Sequence, residues 1–282
     1  MSLHRLAEER SLAYHRKVAE RLPRQSDAAL ASDSDFCGGF QMRKPTIVAM
    51  GGGGFSEEPD NPLLDDYVLS LTGRARPRIC FVPTASGDAG DYIERFCKAF
   101  PATRAQASVL ELFHRTVEDL DAFLLEQDAI YVGGGNTANL LAVWRVHGLD
   151  RALRRAWERG VILCGLSAGG LCWFAEGITD SFSLRHLAPL HDGLAFLPGS
   201  FCPHYDADSL RRPAYEQAVA RGELQPGYAA DDGVALHFEG STLQAVVSSR
   251  PNARAWRVDD NGEAIVSTEL VPRLLRGEEA VS

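Results

Sequence analysis

The chain has 282 residues, of which 45% are hydrophobic and 24% charged, a composition typical of a globular protein. A net charge of −9 without a long Lys/Arg run argues against nucleic acid as a partner. No apolar run approaches the roughly 20 residues that span a bilayer, and the N-terminus carries no apolar signal segment, so we expect a cytoplasmic protein without membrane contact.

The cysteines and histidines do not show the spacing of a metal site. Six cysteines are scattered along the chain without a C-x-x-C pair, and several lie in apolar runs. Reduced, buried thiols are the expected state of such cysteines in a cytosolic protein. We therefore predict no metal and no disulfide framework.

The first 44 residues differ in character from the rest of the chain. They contain a short helical pattern over residues 3–22 and then a polar run, with no segment typical of a strand. We interpret residues 1–44 as an N-terminal appendage and residues 45–282 as a single α/β domain. Met42 lies just before the first strand, and we expect a chain that starts there to fold and to keep its activity.

From residue 46, strand and helix patterns alternate. Apolar, β-branched runs predict strands over residues 46–50, 78–83, 107–112, 128–132 and 161–166. Helical spacing predicts helices over residues 61–71, 91–100, 117–126 and 137–159, the last broken at Gly148. Nearly continuous hydrophobic strands that alternate with helices predict a mostly parallel sheet with helices on both faces. Beyond residue 190 the runs shorten and turns multiply, which predicts hairpins or mixed strands that finish the sheet.

The strongest local motif is the G-x-S-x-G run from Gly165 to Gly169. It follows a predicted strand and precedes a segment that can form a helix. This context is typical of a nucleophile elbow, in which flanking glycines permit a sharp turn and the following N–H helps to stabilise an oxyanion. The pattern predicts Ser167 as a nucleophile.

A nucleophilic serine needs a base and an acid that orients the base. Eight histidines are present, and spacing alone leaves His186, His191 and His204 as candidates. Three carboxylates remain open as the acid: Asp180, Asp231 and Asp232. Adjacent residues of an extended segment point to opposite sides, so only one of Asp231 and Asp232 should face the histidine.

Two glycine-rich loops also end predicted strands. The GGGGF run at 51–55 has Ser56 where a dinucleotide loop requires glycine, and it lacks the Gly-Lys-Ser/Thr of a P-loop. The GGGN run at 133–136 opens a helix that Asn136 or Thr137 caps. Both loops are either tight turns or sources of N–H groups for an oxyanion, and both should face the crevice at the carboxyl ends of the strands.

Five motifs together resemble the aspartyl dipeptidase (peptidase E) family of serine peptidases, with cyanophycinase as a more distant relative. They occur in the order found in that family: YVGGGNTANLL, CGLSAGGLCWF, GITDSF, FCPHYD and YAADDGVAL. The resemblance spans residues 46 to 268. It implies a flavodoxin-like sheet of the class I glutamine amidotransferase type and a Ser–His–acid triad in that chain order.

The resemblance also implies roles for individual residues. Ser167 matches the nucleophile, His204 the base and Asp232 the acid, which is a glutamate in peptidase E. The N–H groups of Ala168 and Gly135 match the oxyanion hole. The residues that match or lie near substrate-binding positions are Asn136, Asp180, Arg211 and Arg212.

Known members remove an N-terminal aspartate from short peptides, so the resemblance implies a short peptide substrate and no cofactor. The loop after His204 is shorter than in those members, which leaves aspartate specificity open. An esterase or amidase on the same framework is the first alternative, and a non-catalytic binding protein is the second. A homodimer is compatible with the sequence, which does not determine the oligomeric state.

Overall fold

The computed structural model describes residues 43–183, 186–207 and 209–277. The predicted appendage up to Met42 lies outside the described residues, so the expected division of the chain and the effect of truncation remain predictions.

The described residues form strands and helices that we number in chain order. The strands are β1 (Thr46–Met50), β2 (Arg78–Val82), β3 (Gln106–Val109), β4 (Ala129–Val132), β5 (Ile162–Leu166), β6 (Phe174–Thr179), β7 (Ala188–Leu190), β8 (Leu197–Cys202), β9 (Gly227–Ala230), β10 (Val234–Glu239), β11 (Thr242–Ser248), β12 (Ala255–Asp260), β13 (Ile265–Leu270) and β14 (Arg273–Leu274). The α-helices are α1 (Gly54–Glu57), α2 (Leu63–Leu71), α3 (Gly90–Ala99), α4 (Leu120–Leu125), α5 (Thr137–His147), α6 (Leu149–Glu158), α7 (Ala168–Leu171) and α8 (Arg211–Ala220).

The larger sheet contains all five predicted strands. Its order is β14-β11-β10-β1-β5-β4-β2-β3, and the strands from β1 to β3 are parallel to one another. Strand β10 pairs antiparallel with β1, and β11 pairs antiparallel with β10. The prediction of a mostly parallel sheet is confirmed. Because parallel strands end at the same edge, the loops that follow β1, β4 and β5 meet there.

Helices cover both faces of this sheet. Side chains of β1 alternate between two cores: Ile47 and Ala49 pack with helices α4 to α7, whereas Val48 and Met50 pack with α1 to α3. This alternation follows from the two-residue period of a strand, and it explains why β1 is apolar throughout. No helix in the described part of the chain has the length and apolar character needed to cross a membrane.

The chain beyond the elbow differs from the prediction. Strands β10, β11 and β14 extend the larger sheet, but the others form a second, mixed sheet in the order β13-β12-β9-β8-β6-β7. Its inner face packs on the first sheet through Phe174, which stacks on Phe201 at 4.9 Å and meets Phe238 of β10 edge-on at 5.9 Å. Helix α8 covers its other face, where Tyr215 is fully buried. The second sheet therefore carries the loops after β6, β8 and β9 toward the edge where β5 ends.

Candidate active site

The G-x-S-x-G run forms a sharp turn between β5 and α7. Ser167 has φ 54° and ψ −117°, in the region that side chains rarely adopt, and its N–H donates to the Met50 carbonyl at 3.1 Å. A Cβ on Gly165 would stand 2.4 Å from the Gly169 carbonyl oxygen, and one on Gly169 would stand 2.3 Å from the Val132 carbonyl oxygen. The turn therefore requires both glycines, and its backbone strain is of the kind found at functional sites.

His204 and Asp232 form a hydrogen-bonded pair beside this turn. His204 follows β8, Asp232 lies between β9 and β10, and His204 Nδ1 stands 2.5 Å from Asp232 Oδ1. The Tyr205 N–H donates to the Ala230 carbonyl at 3.0 Å, which ties the two loops together. The Asp232 N–H donates to Asp206 Oδ1 at 2.9 Å, and this hydrogen bond holds the Asp232 backbone in place.

The charge state of Asp232 suits an orienting acid. Burial alone raises the pKa of this carboxyl, but the hydrogen bond and charge of His204, together with Arg250 and Arg211, outweigh burial and hold the pKa below its usual value. Asp232 is therefore ionised at neutral pH and accepts the Nδ1–H of His204, which leaves Nε2 available for a proton from a nucleophile.

Asp231 points away from His204, as the alternation of an extended segment predicts. Its Oδ2 accepts the Arg254 N–H at 2.8 Å, and its own N–H donates to the Arg254 carbonyl at 3.0 Å. The side chain is buried, which raises the pKa of its carboxyl to about 7. Asp231 thus joins the loop after β9 to the start of β12.

A cavity of about 200 Å³ lies beside Ser167. It brings together residues from loops that are far apart in the sequence, and six of the residues matched by the resemblance line it. The lining residues are Gly135, Thr137, Ser167, Ala168, Leu171, Ile178, Thr179, Asp180, Pro203, His204 and Arg211. Neither His186 nor His191 is among them.

The backbone N–H groups of Gly135 and Ala168 are available on the cavity wall. In the same loop, the Gly134 N–H donates to the Tyr92 hydroxyl at 3.0 Å and the Asn136 N–H donates to the Ala85 carbonyl at 2.8 Å. Among the described residues, Gly135 and Ala168 have no hydrogen-bond acceptor for their N–H groups. Two unpaired donors on one wall can stabilise an oxygen that gains negative charge.

Asp180 and Arg211 lie at the other side of the cavity. An Arg211 terminal nitrogen stands 3.4 Å from Asp180 Oδ2, and the side chain of Arg211 is 13% exposed, whereas that of Asp180 is 61% exposed. Within the described residues, Arg211 Nε is buried without a hydrogen-bond partner. Arg211 also lines the cavity, so its guanidinium lies beside the space that a substrate would occupy.

The other two predicted substrate-binding residues do not line the cavity. Asn136 caps α5, where its Oδ1 accepts the Asn139 N–H at 2.8 Å and its Nδ2 donates to the Ser181 carbonyl at 2.9 Å. It therefore connects the GGGN loop to the segment that carries Asp180.

Arg212 points away from the cavity. Its Nε stands 3.1 Å from the Glu216 carboxylate, and its guanidinium lies over the rings of Tyr205 and Trp256. Adjacent residues at the start of a helix face different directions, so Arg211 and Arg212 separate in the way that Asp231 and Asp232 do.

The GGGG loop after β1 lies against the His204–Asp232 pair. The sequence predicted that this loop faces the crevice, but not that it contacts this pair. A Cβ on Gly52 would stand 2.2 Å from Asp232 Oδ1 and 2.7 Å from His204 Cε1, so only glycine fits there. The ligand-type atoms of Glu57, His204 and Asp232 lie within 4.8 Å of one another. We assign no metal to this group, because His204 and Asp232 already bind each other. The only sequence signal for this contact is the glycine run itself.

Comparison with known proteins identifies the family. A model of peptidase family S51 matches residues 47–246. The chain is 55% identical over 214 residues to a Bacillus subtilis protein called uncharacterized peptidase YgaJ, which covers 75% of this chain and 91% of that protein. It is 28% identical over 160 residues to a Drosophila melanogaster protein named as a probable alpha-aspartyl dipeptidase, over 53% of this chain and 65% of that one.

A solved structure shares the fold. The crystal structure of a peptidase from an acI-B1 Actinobacterium matches with a TM-score of 0.57 and 16% identity, over 82% of this chain and 96% of that one. At that identity the likeness supports the α/β fold alone. The family match and the similar sequences show that the chain belongs to peptidase family S51 and is a serine-type peptidase.

Proposed function

We propose that the chain is an exopeptidase of the dipeptidase type that cleaves short peptides through Ser167, His204 and Asp232. The observation that carries the proposal is the 2.5 Å pair of His204 and Asp232, in which His204 lines the cavity that also contains Ser167. An oriented histidine beside a serine on a strained turn is the arrangement of a serine nucleophile and its base.

In the proposed reaction, each of these groups has a separate role. His204 Nε2 takes the proton of the Ser167 hydroxyl as its oxygen attacks the peptide carbonyl, and the N–H groups of Gly135 and Ala168 stabilise the oxyanion. His204 then returns the proton to the leaving amine, and an acyl group stays on Ser167. Water deprotonated by His204 attacks this ester and releases the acyl group, which restores the serine. No step requires a cofactor.

The cavity favours an acidic residue at the peptide N-terminus. At about 200 Å³ it suits one side chain rather than an extended peptide. The guanidinium of Arg211, which lines the cavity, can donate to a substrate carboxylate, and Asp180 can accept from the free α-ammonium group. The name of the Drosophila relative, an alpha-aspartyl dipeptidase, agrees with this preference.

A comparison of two adjacent arginines tests the preference. Arg211→Gln should lower kcat/KM for Asp-Xaa dipeptides by about 10- to 100-fold and for neutral Xaa-Xaa dipeptides by less than about threefold, because it removes a bidentate carboxylate partner. Arg212→Gln is the matched control and should leave the ratio between the two substrate classes unchanged.

The same panel separates a peptidase from an esterase. It includes p-nitrophenyl esters and dipeptides that vary at the N-terminal residue. Equal losses on acidic and neutral peptides in Arg211→Gln would remove the acidic preference. Turnover of esters with none of any dipeptide would remove the exopeptidase assignment.

A further inference from the structure

The glycine loop after β1 places a second carboxylate beside His204. Gly52 pairs with Asp232 across a parallel β-bridge, and the Gly52 carbonyl accepts the Gly233 N–H at 3.1 Å. A Cβ on Gly52 would stand 2.2 Å from Asp232 Oδ1, 2.7 Å from His204 Cε1 and 2.8 Å from Glu57 Oε2. The absence of a side chain at Gly52 therefore lets three groups converge above the loop.

A hydrogen bond to the backbone holds the Glu57 side chain in place, although this side chain is exposed to solvent. It lies in α1, and its Oε2 accepts the Gly53 N–H at 2.7 Å. A carboxylate oxygen of Glu57, a ring nitrogen of His204 and a carboxylate oxygen of Asp232 lie within 4.8 Å of one another. The imidazole thus has two carboxylates near it, one from α1 and one from the loop between β9 and β10.

Several charged side chains surround Glu57 and His204. Arg95 of α3 donates to the Ser56 carbonyl at 2.9 Å and stands 3.9 Å from the Asp91 carboxylate. Asp206 lies behind Asp232, whose N–H it accepts. Arg250 is held by Glu58, at 2.6 Å between Nε and Oε1. On the cavity side of His204, Arg211 faces Asp180 at 3.4 Å. None of these contacts joins a cation to the Glu57 carboxylate.

We propose that Glu57 is a positioning residue that stabilises the His204 imidazolium formed when Ser167 attacks its substrate. Glu57 acts through His204 and not on the substrate, so this inference rests on the proposed function of His204 as the base. A carboxylate held within about 5 Å of a forming imidazolium lowers the energy of the charged state. The Gly53 N–H keeps the carboxylate in place, so little reorganisation accompanies proton transfer.

The competing explanation is that Glu57 only supports the glycine loop through its bond to Gly53. Glu57→Gln separates the two, because the amide oxygen still accepts the Gly53 N–H while the charge is lost. Asp60→Asn is the matched control, since it removes one exposed carboxylate from the same segment outside the three-residue group.

The experiment measures the titration of His204 in two ways in the full chain. The first is the second-order rate of Ser167 labelling by a fluorophosphonate as a function of pH. The second is the NMR titration of the His204 imidazole, assigned with His204→Gln. In Glu57→Gln both midpoints should fall by about 0.5 to 1 pH unit, and the labelling rate on the alkaline plateau should fall by about 3- to 10-fold. Asp60→Asn should leave both midpoints unchanged.

Two results would overturn the inference. One is a Glu57→Gln midpoint within about 0.2 pH unit of the wild-type midpoint. The other is an equal shift in Asp60→Asn. Failure of the proposed function looks different: the wild-type chain would then show no labelling of Ser167, while the NMR titration would still report whether Glu57 acts on His204.

Discussion

At the scale of the residue, two adjacent aspartates have different partners. Asp232 lies 2.5 Å from His204 and is held ionised, whereas Asp231 binds the Arg254 backbone and is buried. The direction in which each side chain leaves an extended segment is sufficient to separate a proposed catalytic acid from a structural one.

This separation predicts different outcomes for two matched variants. Asp232→Asn should lower kcat by about 10²- to 10⁴-fold with little change in the free energy of unfolding, because His204 loses the acceptor that fixes its tautomer. Asp231→Asn should have a much smaller effect on kcat, since its amide oxygen still accepts the Arg254 N–H. Steady-state kinetics and urea unfolding of both variants check this. A loss of turnover confined to Asp231→Asn, or found only in Asp180→Asn, would show that the acid is misassigned.

At the scale of the element, α2 buries a carboxyl group beneath the glycine loop. The side chain of Asp65, in the first turn of α2, is only 1% exposed, and the Tyr131 hydroxyl of β4 donates to its Oδ1 at 3.1 Å. Burial raises the pKa of Asp65 from 3.8 to about 7, although Arg104 and the Tyr131 hydrogen bond oppose the change. The folded chain therefore binds a proton at Asp65 more tightly than the unfolded chain does.

This linkage predicts how stability depends on pH. The contribution of protonated Asp65 is fully present below pH 3.8 and is lost as the pH rises through about 7. The loss is at most about 4 kcal/mol in the free energy of unfolding. Asp65→Asn cannot lose a proton, so its stability should fall less between pH 5 and 8 than that of the wild type. Urea unfolding across this range measures the difference, with the exposed Asp91→Asn as control. Parallel curves for the wild type and Asp65→Asn would contradict the assignment.

The ends of helices and strands show where contacts with distant residues override the local sequence pattern. The break predicted at Gly148 within residues 137–159 is present, because Gly148 adopts a left-handed conformation that ends α5 and begins α6. The predicted strand over 107–112 ends at Val109, yet Leu110 and Leu112 are buried. The Leu112 N–H donates to the Asp88 carboxylate, a partner that lies in another loop. Apolar spacing identified the buried residues but not the acceptor that bends the chain there.

At the scale of the whole molecule, the sequence predicted the first sheet better than the second. Strands β1, β2, β4 and β5 are nearly continuous apolar runs that only a doubly covered sheet can bury, so their pattern determines their place. The later strands are short and pair across long stretches of chain, as when β12 pairs with β9 and β8 pairs with β6. No local pattern reports such pairings, and the second sheet was therefore not predicted.

The candidate site was likewise predicted from the sequence only where a local motif encodes it. The elbow is a local motif and was predicted from its strand, glycines and serine. The proximity of Glu57 and Gly52 to His204 depends on how the segments after β1, β8 and β9 meet. The roles of Asn136 and Arg212 depend on side-chain direction, which residue type and spacing leave open.

The most direct test of Ser167 as the nucleophile is intact-mass analysis of the wild type and Ser167→Ala after treatment with a fluorophosphonate, together with peptide hydrolysis by both. The proposed role of Ser167 predicts one adduct on wild-type Ser167 and none on the variant. It also predicts a loss of roughly 10³-fold or more in turnover, with unchanged circular dichroism. Turnover by Ser167→Ala at the wild-type rate, or an adduct on another residue with Ser167 unmodified, would contradict it.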